Sequence, residues 1–252
     1  MKGFYRLLNL EFVSWIRFLA GLLVGSFSLS LLLLNSASRF SPWTNQPRYE
    51  DLFVSSGCTI VFFIAFVLLC LYFLKSVYAG YWGSKSVYSY LTLPVRRDAL
   101  YWSKLLVFAT GMLLLIAVQL LVFRLGYALV DSRYTSGFGM HNGWYLALIR
   151  SEFIRILLPL SLSRLLSTLS LLLAIAAGLY YGALCERSRK YYGFFGIAAA
   201  AFLIVKVLLY RMNETLYDAD PHSLYGSSLL LLAFAAAFVW HGIYLLRRGS
   251  IA

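Results

Sequence analysis

Charge is scarce in this sequence: 13% of its 252 residues are Asp, Glu, Lys or Arg, where a soluble domain carries about a quarter. That shortage excludes an ordinary solvated globule, and a 61% hydrophobic content points to an integral membrane protein. Cysteine is sparse as well. Cys58, Cys70 and Cys185 lie in or beside apolar runs, without Cys-x-x-Cys spacing or clustered histidines. Small core residues are therefore expected, not a disulfide framework or a metal site.

Motifs that carry chemistry are missing too. Gly80-Tyr81-Trp82-Gly83-Ser84-Lys85-Ser86 has glycines and a lysine, but a phosphate cradle needs Gly-x-x-x-x-Gly-Lys-Ser/Thr after a strand. Here Ser84 separates Gly83 from Lys85. Gly-x-Ser-x-Gly, His-Glu-x-x-His and paired intramembrane aspartates are absent, so no catalytic residue, directly bound cofactor or metal ligand is expected.

What the chain has is long apolar runs. A hydrocarbon core of about 30 Å takes about 20 helical residues. On that measure the sequence predicts an all-α integral membrane protein with spans over about 18–34, 53–74, 101–123, 165–184, 194–210 and 224–246. The connections are short and leave no room for a separate soluble domain, so the chain reads as a single transmembrane domain over 1–252. Ahead of the first span, residues 2–17 place Lys2, Arg6, Asn9 and Arg17 in one arc of a helical wheel and Phe4, Leu7, Leu8, Phe12 and Trp15 around much of the rest. That is the pattern of an amphipathic interfacial helix or of a basic flank, with Glu11 either paired or exposed. Ser36-Ala37-Ser38 resembles a cleavage site, but the long, Glu11-containing region before it favours an uncleaved helix.

Several faces carry patterns. Gly21, Gly25 and Ser28 follow i, i+4, i+7 spacing and would let another helix approach closely. Ser167, Ser170, Ala174 and Tyr181 run down one side of the fourth span, as a packing face or as a weakly polar wall for something crossing the membrane. Phe153 to Ser163 is apolar but carries Arg155 and Pro159, which suits a re-entrant or interfacial segment. His241 reads as a polar interface residue, having no second ligand at suitable spacing.

The net charge of +12 is spread along the flanks of apolar runs, which argues against nucleic acid as a partner. Placing both termini in the cytoplasm puts 13 of the 22 basic residues on the inner side, as the positive-inside rule favours. Glu11, Asp98 and Glu186 are the acidic residues on that side. Five arginines between Arg124 and Arg164 fall on the outer side, where lipid phosphates, structural partners or an anionic or peptide ligand could meet them.

One basic passage, within the loop over 76–100, has an internal plan. Val87 and Leu91 lie four apart, with Lys85, Ser89 and Thr92 on another face, and predict a short amphipathic helix. Pro94 stops it, Arg96 and Arg97 follow, and Asp98 can open the next helix. From Gly83 to Lys104, Gly-Ser-Lys, Leu91-Thr92-Leu93-Pro94-Val95-Arg96 and Ser103-Lys104 at the start of a span together resemble the six-helix permease subunits of type-2 ATP-binding-cassette (ABC) exporters. The layout of the whole chain shares the resemblance.

That resemblance implies a non-catalytic permease in a bacterial cytoplasmic membrane. The loop would be a cytoplasmic coupling helix in which Lys85, Val87, Tyr88, Leu91, Pro94, Arg96 and Arg97 dock onto an ATPase dimer that holds ATP and Mg. Residues 2–17 would be an elbow helix. A second permease subunit, the same or homologous, would pair with this one, with Gly21, Gly25 and Ser28 as its contact. Its substrate would be an amphipathic peptide, a lipid-like compound or a drug. The rival reading is a membrane enzyme, or a binding or immunity protein needing no ATPase.

Overall fold

The computed structural model describes residues 2–40, 48–82, 97–132, 143–159, 161–189, 191–213 and 223–247. Among them every regular element is a helix. The helices are α1 (Lys2–Phe40), α2 (Tyr49–Ser55), α3 (Cys58–Trp82), α4 (Arg97–Asp131), α5 (Trp144–Arg150), α6 (Glu152–Leu157), α7 (Leu162–Arg187), α8 (Gly193–Asn213) and α9 (Ser223–Arg247). Six of these, α1, α3, α4, α7, α8 and α9, are long and apolar enough to cross a membrane. Large apolar side chains such as Val24, Ile60, Leu113, Phe202 and Trp240 are exposed along them. Surface of that kind suits acyl chains and would be a liability in water.

The helix bounds correct the sequence reading in four places. First, α1 is one uninterrupted helix of 39 residues, about 58 Å at the α-helical rise, with no break between Arg17 and Phe18. A buried stripe of Leu7, Glu11, Trp15 and Leu19 at four-residue spacing continues across the expected boundary, so the same face packs on both sides of it. Arg6, Asn9 and Arg17 are exposed, as the wheel reading places them.

Second, the span expected from Phe53 starts at Cys58. Gly57 has φ +86°, a left-handed conformation that ends α2 and re-aims the chain, and Phe53 belongs to the short helix before it. Third, α4 extends past the expected 101–123 at both ends, so Leu125 to Asp131 is helix and not loop. Fourth, the loop expected over 125–152 also holds α5, and the segment from Phe153, read as re-entrant or interfacial, contributes to the short α6. Ser151 caps it by accepting from the Ile154 amide at 3.4 Å, and Leu158 leaves the helical region because Pro159 follows. The remaining spans lie within three residues of the expected bounds.

The chain divides into two compact units. Unit 1 comprises Met1–Trp15, Cys70–Thr110 and Leu160–Ala252. Its core is aromatic: Phe73 stacks on Phe108 at 4.3 Å, Tyr101 on Tyr180 at 4.5 Å, and Trp15 meets Tyr72 edge-on at 4.9 Å. Unit 2 comprises Ile16–Leu69 and Gly111–Pro159. Its core gathers Leu34, Tyr49, Phe53, Phe62, Phe123 and Phe153. Tyr49 donates to the Phe123 carbonyl at 2.8 Å, and burial raises its phenol well above the ordinary value of 10.0.

Candidate functional site: polar links around one end of unit 1

Lys85, Val87, Tyr88, Leu91, Pro94 and Arg96 lie outside the described residues, and so does the side chain of Arg97, the first residue of α4. The described structure instead gives what flanks that passage, the end of α3 and the start of α4.

Both flanks are tied sideways. The Tyr78 hydroxyl, in the last turns of α3, donates to a carboxylate oxygen of Glu186 at the end of α7. Asp98, in the first turn of α4, receives two hydrogen bonds from Arg247 at the end of α9, Nε to Oδ1 at 2.9 Å and Nη2 to Oδ2 at 2.6 Å. This is the two-pronged geometry that a planar guanidinium fits to a carboxylate. Six residues further along α4, Lys104 pairs with Glu11 of α1 at 2.9 Å, and both side chains are nearly buried. Each of the three acidic residues that charge counting assigns to one side of the membrane thus joins two helices in unit 1.

Beneath these links lies the aromatic core, which gives them a firm base. Tyr180 touches both Tyr101 of α4 and Phe73 of α3, and Trp15 brings in α1. Gly242 of α9 makes room for it: a Cβ there would stand 3.2 Å from the Tyr101 ring. Five helices therefore meet around the two ends of the passage, joined by hydrogen bonds and ring contacts.

The stripe on α7 is part of the same assembly. Ser167, Ser170, Ala174 and Tyr181 are buried. Ser170 donates to the Ser167 carbonyl at 2.8 Å, Tyr181 stacks on Phe238 at 5.0 Å, and its hydroxyl is 2.7 Å from His241 Nδ1. Their burial within the chain fits a packing face. His241 is an interface residue with a tyrosine partner, and Gly193 at the start of α8 leaves room for Tyr181 and Cys185.

Gly21 and Gly25 sit on an open face of α1, with nothing within 4 Å of where a Cβ would be, and the exposed Ser28 hydroxyl bonds to its own helix at Val24 and Gly25. Two arginines of the arginine-rich stretch meet local partners. The Arg124 guanidinium lies 5.2 Å from the Trp144 ring centre, and Arg155 is 4.0 Å from Glu152.

Sequence reasoning left open whether Glu11 is paired and missed the Glu186 and Asp98 partners. A usable signal was present, since three acidic residues among many basic ones in a poor solvent for charge call for partners. Among the described residues no three His, Cys, Asp or Glu side chains come together as a metal site, and none of the three cysteines is in a disulfide. Compared with known proteins, the chain matches no family model, no curated protein and no solved structure.

Proposed function

We propose that this chain is a permease subunit of an ABC exporter, in which the passage from Gly83 to Arg97 docks onto a separate ATPase. Three features support the reading: six candidate spans, no phosphate-binding motif of its own, and the resemblance of Gly83 to Lys104. The observation that carries it is the bracing of both flanks of the passage. A force applied there reaches α7 through Tyr78–Glu186 and α9 through Asp98–Arg247, so that several helix ends move together.

In this mechanism the partner binds ATP with Mg and does the hydrolysis. Val87, Tyr88 and Leu91 enter a groove on the ATPase, while Lys85, Arg96 and Arg97 meet acidic residues at its rim and Pro94 sets the angle of the chain. The termini lie in the cytoplasm of a bacterial cell. A second permease copy or homologue packs on the open Gly21, Gly25 and Ser28 face. The cargo is an amphipathic peptide, a lipid-like compound or a drug.

The test is co-purification with an ABC-type ATPase from the native membrane. Val87→Asp with Leu91→Asp is expected to abolish the association while the protein still inserts in the membrane. Association at the unaltered level would overturn the proposal, and so would the lack of an ATPase partner.

A further inference from the structure

Within unit 1, a cavity of about 470 Å³ opens between the first part of α1 and α4. Its walls are Tyr5, Leu8, Asn9 and Phe12 on one helix and Leu106, Val107 and Thr110 on the other. Thr110 spends its hydroxyl on the Val107 carbonyl at 2.8 Å and so offers a methyl group. The lining is hydrocarbon with Asn9 as its one amide.

We propose that this groove holds an acyl chain of an anionic phospholipid, with the headgroup phosphate beside Arg6. Both helices are candidate spans, so the cavity lies along a surface that acyl chains cover. Charge selects the headgroup. Arg6 is exposed on the same helix as the α1 wall, about 100° further round from Tyr5. Glu11, the acidic residue within the Tyr5–Phe12 stretch, faces away into its pair with Lys104 and does not repel a phosphate. An apolar slot beside a cation is complementary to an amphiphile whose head is negative.

The purified chain is placed in lipid nanodiscs containing phosphatidylglycerol or phosphatidylcholine with a photoreactive group on the acyl chain, and crosslinked peptides are mapped by mass spectrometry. Labelling is expected to concentrate on 5–12 and 106–110 and to favour phosphatidylglycerol. Arg6→Gln should lower that preference about fivefold while leaving phosphatidylcholine labelling unchanged. Leu8→Trp and Thr110→Trp fill the groove from opposite walls, and each should abolish the enrichment in protein whose melting temperature is retained. Even labelling of the groove and of exposed α8 positions such as Phe202 and Leu209 would overturn the proposal. Enrichment that ignores both tryptophans, or the headgroup, would do the same.

Discussion

The Lys104 ammonium lies 2.9 Å from the Glu11 carboxylate, with side chains 11% and 7% exposed. At that depth a lone charge is far less tolerable than a pair. Glu11→Ala is expected to cost about 3 kcal/mol by leaving the lysine without its partner. Glu11→Leu combined with Lys104→Met, which removes both charges and keeps the volume, should cost less than the single change. Thermal unfolding in detergent of the wild type, Glu11→Leu, Lys104→Met and the double variant measures the coupling. Single losses that simply add in the double variant would show that the two residues do not stabilise each other.

Two glycines on facing helices should respond with opposite signs. Replacing a helical glycine by alanine gains up to about 1 kcal/mol from backbone entropy. At Gly178 the new methyl would stand 3.7 Å from Phe238, an ordinary contact, so Gly178→Ala should raise the melting temperature. At Gly242 it would stand 3.2 Å from a Tyr101 ring that is fully buried and stacked on Tyr180. That ring has nowhere to go, and the strain of about 1–3 kcal/mol should outweigh the gain. A melting temperature raised by Gly242→Ala would mean that Tyr101 is not held as tightly as its stacking indicates.

The spans were legible because length and hydrophobicity decide them, and these are local properties of the sequence. What joins the spans was not. Nothing near Glu11 in sequence marks Lys104 as its partner, and a helical wheel gives the same arcs for an interfacial helix as for one packed along its whole length. Phe53 to Leu74 reads as one apolar run, and only the left-handed Gly57 reveals the turn inside it. Arg124 looked like the end of a span, yet its guanidinium reaches Trp144 and the helix continues to Asp131. The passage from Gly83 to Arg97 is the reverse case: its sequence has a plan, and the described residues are those that flank it.

Alkaline pH should weaken unit 2 through Tyr49. Burial holds this phenol neutral above the pH at which an unfolded tyrosine ionises, an ordinary value of 10.0. The raised value means that the folded form keeps a proton which the unfolded form gives up. The stabilisation is therefore fully present below about pH 10 and is lost as pH rises above it. Tyr49→Phe should lose about 1 kcal/mol at neutral pH, the worth of the bond to Phe123. It should also fall less than the wild type between pH 9 and about 11. Melting curves of both proteins across that range provide the check, and parallel decline would remove Tyr49 as a cause.

The Asp98–Arg247 link should matter for coupling more than for stability. Arg247 is exposed, so breaking the pair by Asp98→Arg is expected to leave the melting temperature near its original value. If the pair transmits movement from the docking passage to α9, the same change should lower substrate-stimulated ATP hydrolysis in the complex reconstituted with its ATPase. Adding Arg247→Asp rebuilds the pair with its charges exchanged. That arrangement puts a cation in the first turn of α4 and an anion in the last turn of α9, against both helix dipoles, so rescue should be partial. Partial rescue separates a mechanical link from a charge that merely attracts the partner, because net charge is the same in the exchanged protein and the wild type. Asp98→Arg coupling like the wild type would show that force reaches α9 by another route.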